Sequence, residues 1–284
     1  MEKIAVVTDT GSNLSFAQAK ELGIYLLPLQ ITIDETTYQD TLEISTQDIY
    51  NELANGKMPK TSMAAYQKIY DLFEELKKDY DTIFAVPLTN GLSTNASTMQ
   101  SIARELEMNV HVIDMYATCA LEKHVAIWIK KLVDEHKSSE EILKIIQPAI
   151  DESNSLILVK NLQHLKRGGR LTPMAATLAG LLKIYPVLHI NKSTKGRIDV
   201  LNKVRTEKRA DAYAIDKIMD DIDIQHTHIY IIHSDFLEGA NHFKKCFIKK
   251  GVPEQNIHID YISSVIAVHT GLGCIAIQYI REEN

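Results

Sequence analysis

Three short segments of the chain are crowded with hydroxyl and carboxamide groups. They are Thr8, Asp9, Thr10 and Ser12; Thr61 and Ser62; and Thr89, Asn90, Ser93, Thr94 and Asn95. The first and third close apolar strand-like runs, and the second stands just ahead of an amphipathic helix. Hydroxyls and backbone N–H groups gathered where helices begin make an anion cradle, because unpaired donors and the positive end of the helix dipole meet there. The other fate of such residues is N-capping, one hydroxyl to a helix. Three segments of this kind in one chain point to a shared anion pocket.

Two further segments bring stronger donors. Gly168-Gly169-Arg170 joins residues that allow close backbone approach or positive φ to a guanidinium fork suited to carboxylate or phosphate; a surface turn with a solvated charge is the alternative. His269-Thr270-Gly271-Leu272-Gly273 follows an apolar run at 265–268. His269 is either an adjustable donor to an anion or a core imidazole satisfied by its neighbours. His226 and His228 lack a third ligand nearby in sequence and read as exposed polar residues. Asp9 and Asp40 are potential carboxylate partners that nothing in the sequence requires to meet. The lysines of 57–60 and 244–250 read as solvated helix ends. The patterns H-E-x-x-H, G-x-S-x-G and G-x-x-x-x-G-K-[ST] do not occur, so no catalytic residue and no metal ligand is assigned.

The elements that position these side chains alternate in type. Strands are predicted at 4–7, 26–33, 82–86 and 110–113, and helices at 15–22, 46–54, 65–76, 97–107, 118–135 and 139–151. That rhythm implies parallel βαβ units. It changes after a strand at 155–159. A helix at 173–182 precedes two antiparallel strands, 186–190 and 197–204, around the turn Ser193-Thr194-Lys195-Gly196. Helix 207–221, strand 228–233, helix 239–250 and strand 258–262 follow, and the apolar run 270–279 closes the chain as helix or strand. The fold class is α/β, with an N-terminal parallel-sheet domain over 1–153 and a C-terminal mixed-sheet domain over 154–284. Ligands of open α/β sheets bind beyond the carboxyl ends of the strands, where the hydroxyl-rich loops fall.

Bulk properties narrow the partners. With 45% hydrophobic and 24% charged residues, the composition is that of an ordinary globular protein. A net charge of −6 leaves no basic excess for nucleic acid. Met1-Glu2-Lys3 runs straight into a strand without a signal-peptide pattern, and no apolar run reaches the length of a membrane span. The expected location is cytoplasmic, without membrane insertion. Cys119, Cys246 and Cys274, odd in number and widely spaced, read as buried thiols in a reducing compartment.

In order and spacing, these segments resemble the DegV family of bacterial fatty-acid-binding proteins, which is similar to the acyl-carrier subunit of bacterial fatty acid kinase. The likeness takes in Thr8-Asp9-Thr10-Gly11-Ser12-Asn13-Leu14, Pro28-Leu29, Tyr38-Gln39-Asp40, Thr61-Ser62, Leu92-Ser93 and Val112-Ile113-Asp114. It continues through Leu165-Lys166-Arg167-Gly168-Gly169-Arg170-Leu171, Lys203-Val204-Arg205 and His269-Thr270-Gly271-Leu272-Gly273. The resemblance implies a long-chain fatty acid held between two domains of the DegV type, its tail buried in the C-terminal one. Its carboxylate would rest on Thr61, Ser62, Ser93 and His269, with Thr94, Arg170 and Thr270 alongside. Arg170 and Arg205 would face the head group or a separate fatty acid kinase that phosphorylates it. The chain would then be a carrier and not an enzyme, with no cofactor.

Several positions depart from the family pattern. Leu92-Ser93-Thr94-Asn95-Ala96 replaces Leu-Ser-Gly-Thr-Tyr, Met63-Ala64 replaces Gln-Pro, Asp114-Met115 replaces Asp-Ser, Ser263-Ser264 replaces Gly-Pro, and Ala267 replaces a glycine. The head-group donors are kept while the loops around them change. A tail of about fourteen methylenes at ~0.8 kcal/mol each contributes ~11 kcal/mol of gross burial. Each head-group bond contributes roughly 1.5–3 kcal/mol, so the tail sets affinity and the head sets orientation. Residues 173–186, with Ala175, Ala176, Ala179 and Gly180, are expected either to wall the tail or to pack closely on the sheet. Two other readings stay open: Ser93 and His269 as a nucleophile–base pair for acyl or phosphoryl transfer, and a binding protein for a small molecule that is not a lipid.

Overall fold

The computed structural model describes residues 2–180 and 183–282. In chain order the first half comprises β1 (Ile4–Asp9), α1 (Phe16–Leu22), β2 (Tyr25–Leu27), β3 (Gln30–Ile33), β4 (Thr36–Gln39), α2 (Thr46–Ala54), β5 (Lys60–Ser62), α3 (Tyr66–Leu76), β6 (Thr82–Val86), α4 (Asn95–Glu105), β7 (Asn109–Val112), α5 (Ala120–Asp134) and α6 (Ser139–Glu152). The second comprises β8 (Asn154–Leu158), α7 (Leu162–Arg167), α8 (Pro173–Leu178), β9 (Tyr185–Ile190), β10 (Asp199–Val204), α9 (Glu207–Asp221), β11 (Thr227–His233), α10 (Leu237–Lys249), β12 (Ile257–Tyr261), α11 (Ser264–Thr270) and β13 (Ile275–Arg281).

The described strands form three sheets. One is parallel throughout, in the order β2-β1-β6-β7, and one is mixed, in the order β10-β9-β8-β13-β11-β12, with β11 and β12 its parallel pair. β1 and β6 are buried at every residue because helices cover both faces of their sheet, as all-parallel sheets require. The third sheet, β4-β3-β5, is small and antiparallel. Reciprocal capping boxes start α1 at Ser15 and Gln18, α2 at Ser45 and Asp48, and α6 at Ser138 and Glu141. Thus the architecture is two-domain α/β, parallel-sheet and then mixed-sheet.

The structure corrects several sequence expectations. Residues 26–33 form two strands in different sheets, because Pro28 between them has no N–H for a ladder. The closing run divides at Gly271 and Gly273, both at positive φ, into the end of α11 and the strand β13. The short elements β4, β5, α7 and α11 have no counterpart among the predicted ones. Of the helix expected at 173–182, α8 ends at Leu178, and residues 181–182 lie outside the described residues. Cys119 and Cys274 are buried, whereas Cys246 is only half-buried on α10.

The two halves are stitched by polar contacts. Tyr50 Oη on α2 donates to the Ile262 carbonyl at 2.7 Å, and Asn13 Nδ2 to Asp260 at 3.1 Å. The buried Asp40 carboxylate accepts from the Ser264 hydroxyl at the start of α11. The tip of the β9–β10 hairpin meets the loop after β6 backbone to backbone: a Cβ on Gly91 would lie 2.1 Å from the Gly196 carbonyl. Only glycine fits there. Gly91→Ala is expected to lower stability by about 1–3 kcal/mol through overpacking. An unchanged midpoint in thermal denaturation would show the contact to be dispensable.

Candidate functional site

A cleft of about 390 Å³ opens between the carboxyl end of the parallel sheet and α11. Thr61, Ser62, Ser93, Thr94, Arg170, His269 and Thr270 all line it, although they come from four separate stretches of chain. Arg205 does not line it; it stands exposed just past β10.

The loop between β6 and α4 is held from β1. Asp9, at the end of β1, accepts from Gly11 N at 2.8 Å, Leu88 N at 2.9 Å and Asn95 Nδ2 at 2.6 Å. Leu88 and Asn95 flank the loop, so this single carboxylate fixes both its ends. Burial pushes the Asp9 pKa up, against the pull of these donors. Glu122, buried beneath, is raised well above the usual range by burial and by the charge of Asp9. Ser93 Oγ accepts from Asn95 N at 3.2 Å in a local turn just ahead of α4, whose N-cap is Thr94, and keeps its own proton for an acceptor in the cleft.

Thr61 and Ser62 sit in strand β5 and not in a loop ahead of a helix; Ala65 precedes α3. The helix-dipole argument therefore applies to Ser93 and Thr94 at the start of α4, not to this pair. Ser62 is exposed at the rim and donates to Gln30 Oε1 at 3.0 Å. Thr94 is exposed and lies 3.5 Å from Met63 Sδ. The hydroxyl of Thr270 is turned back to the Ile266 carbonyl at 3.2 Å within its own helix, so it is committed away from the cradle.

His269 is the hub. Its Nδ1 lies 3.1 Å from the Gly168 carbonyl, which can only accept, so Nδ1 carries the proton. Its Nε2 lies 2.7 Å from Thr61 Oγ1. Burial, and then the charge of Arg170, lower its pKa to about 4, so the ring is neutral and Nε2 accepts the Thr61 proton. Arg170 Nη1 donates to the same Gly168 carbonyl at 2.8 Å. The close approach is glycine's contribution: a Cβ on Gly168 would stand 3.0–3.2 Å from His269 Nδ1, Cβ and Cα.

Beneath the cleft, and sharing Leu92, Ile198, Ile266 and Thr270 with it, lies a narrow cavity of about 20 Å³ lined by Ile157, Ile190, Ile232 and Ile262. The described residues of 173–186 do not line it; Ala175 packs into the surrounding apolar cluster instead. A larger cavity, about 560 Å³, lies on the opposite face of the mixed sheet by α9 and α10 and contains none of the hydroxyl-rich loops. Sequence reasoning also missed a histidine cluster. His226 is exposed as expected, but His228 stacks against His258 and Tyr230 and packs on His124. Among the described residues no group of His, Cys, Asp and Glu is arranged to hold a metal ion. No described helix is long and apolar enough to cross a membrane.

A polar cleft between two α/β domains thus adjoins a narrow cavity of branched aliphatic side chains. The family model described as uncharacterised protein, DegV family COG1307, matches residues 3–282, and the chain belongs to this family. A DegV domain-containing protein of Halalkalibacterium halodurans is 30% identical over 289 residues, covering 100% of both chains. Among solved structures, the DegV family protein SAG1342 from Streptococcus agalactiae, described as fatty acid binding, is 29% identical with a TM-score of 0.91 over 100% of both chains. DegV from Bacillus subtilis, described as a fatty acid binding protein, is 26% identical with a TM-score of 0.86, covering 99% of this chain and 100% of that one.

The depressed His269 pKa links the site to stability. Above the unfolded value of 6.5 the ring is neutral in both states. As pH falls from 6.5 towards about 4, the unfolded chain takes up a proton that the folded one resists, and stability is lost. For a half-buried ring the loss is on the order of 1–3 kcal/mol. Urea denaturation across this range is expected to show a decline that His269→Gln flattens; an identical decline in the variant would assign it to other groups.

Proposed function

We propose that this protein binds a long-chain fatty acid, the carboxylate lying in the cleft and the acyl chain entering the apolar core beneath, where the cavity of about 20 Å³ widens around it. The observation that carries the reading is that the cleft and the aliphatic cavity adjoin, with Leu92, Ile198, Ile266 and Thr270 lining both. Family relatives described as fatty acid binding support it. In this reading residues 1–153 supply the head-group loops and 154–284 most of the tail cavity. Thr61 and Ser93 donate to the carboxylate, Ser62 joins them by turning its proton from Gln30, Arg170 supplies charge, and Thr94 and Thr270 shape the walls. His269 acts through Thr61. Its unprotonated nitrogen faces Thr61 and not Ser93, which favours a carrier over a Ser93–His269 nucleophile–base pair. A separate kinase would act on the presented head group, with the exposed Arg205 and the half-buried Arg170 on the facing surface.

A hydroxyl that gives its proton to His269 has only lone pairs to offer a carboxylate. For Thr61 to donate, Nε2 must gain a proton. Binding at neutral pH is therefore expected to take up about one proton per ligand, measured by titration calorimetry in buffers of different ionisation heat. His269→Gln should abolish the uptake; an equal uptake in the variant would place the proton elsewhere.

The reading itself is tested by mass spectrometry of an organic extract of purified protein and by uptake of oleate or palmitate. No acid recovered and none taken up would overturn it. Ser93→Ala is expected to cost roughly 1.5–3 kcal/mol of affinity while the protein still retains lipid, since the head orients and the tail holds. Complete loss of lipid would contradict that division.

A further inference from the structure

The floor of the isoleucine-lined cavity is polar. On the inner face of the mixed sheet, Cys274, Ala276 and Gln278 follow one another at two-residue steps along the segment leading into β13. Cys274 lies next to the His269–Gly273 end, and Gln278 lies four residues deeper, about 14 Å along the strand at ~3.4 Å per residue. Register places Gln278 opposite Ser155 on β8, whereas Ala276 stands opposite Ile157. The aliphatic rows of the cavity thus give way to a row of amide and hydroxyl.

Both hydrogens and the oxygen of the Gln278 amide are engaged. Nε2 donates to the Thr118 carbonyl at 2.9 Å and to Ser155 Oγ at 3.0 Å, while Oε1 accepts from Leu121 N at 3.3 Å. Thr118 and Leu121 bracket the start of α5, so the amide is bolted to both the sheet and the helix behind it. Its orientation has no alternative, since a carbonyl can only accept and an N–H only donate. The side chain is 1% exposed. Beyond it the next inner-face residue, Ile280, belongs to the closed core under α5 and α6 with Leu121 and Val125. An acyl chain entering from the cleft could pass Gln278 only by leaving the Thr118 carbonyl and the Leu121 N–H unpaired in that core.

We propose that Gln278, locked by Thr118, Leu121 and Ser155, is the chain-length stop of the acyl cavity: the methyl end of the ligand halts against this amide. The proposal rests on the fatty-acid reading and names the residue that selects among fatty acids. Gln278 serves specificity and takes no part in holding the head group.

The test loads the full chain with an equimolar mixture of laurate, myristate, palmitate, stearate and arachidate and quantifies the bound acids by mass spectrometry. Gln278→Ala removes the barrier and is expected to move the bound profile towards longer acids by about two carbons. Ser155→Leu, which raises an apolar floor in the same row without removing the amide, is expected to move it towards shorter acids. The second variant keeps the proposal testable if the loss of three buried hydrogen bonds prevents Gln278→Ala from folding. A wild-type profile in a folded variant that still takes up lipid overturns the stop and leaves fatty-acid binding standing. A wild-type protein that takes up none of the five acids removes the underlying reading, and the stop with it.

Discussion

Much of the cleft depends on one buried carboxylate. Asp9 is wholly enclosed, and enclosing a charge costs several kcal/mol unless hydrogen bonds replace its water. Here the replacements come from three donors, two of which flank the loop that carries Ser93. The strand end spreads this control further. Thr8 Oγ1 donates to the Val86 carbonyl at the end of β6, and Thr10 Oγ1 receives the Leu29 N–H where the chain passes from β2 to β3. Asp40, pushed up to about 6 by burial, holds Ser264 at the head of the helix that ends in His269. The first strand is therefore a reference point for loops that are remote from it in sequence.

Within the cleft the electrostatics are economical. A single backbone carbonyl, that of Gly168, sets the tautomer of His269 and anchors Arg170. The neutral imidazole then decides where the Thr61 proton points. A carboxylate arriving beside Arg170 would favour a charged imidazole and reverse that hydrogen bond, so the head group would recruit its own donor. The aliphatic cavity provides no such discrimination. Its contribution scales with methylenes buried and would retain many lipids alike.

The parts of this arrangement legible in the sequence are those with local signals. Strands ending in Thr8-Asp9-Thr10 and Thr89-Asn90 announced the sheet whose carboxyl ends meet the cleft, and the run Gly168-Gly169-Arg170 announced close backbone approach beside a guanidinium. The family resemblance supplied the order of segments and drew Thr61, Ser93 and His269 into one site. It did not reveal that the His269–Thr61 bond joins residues 208 apart, or that Thr270 turns inward. Three-residue strands such as β5 have too few positions for any periodicity, and α11 reads as another apolar run. Gln278 was hidden for a similar reason, a single polar residue inside a closing hydrophobic stretch. Pro28 was a signal in plain view, and it does break the strand expected across it.

The position of β13 has a consequence for how the protein is made. This strand, the last of the described elements, is not at an edge; it lies in the interior of the mixed sheet, hydrogen-bonded to β8 on one side and β11 on the other. Until residues 275–281 emerge from the ribosome, two apolar strand edges have no neighbour, and β8 waits through more than a hundred residues of synthesis for its partner. Pairings of such long sequence separation form slowly and leave sticky intermediates. The first domain's sheet can assemble before β13 is made, whereas the mixed sheet is joined across its middle only once β13 is in place, and the aliphatic cavity that β13 floors cannot form sooner.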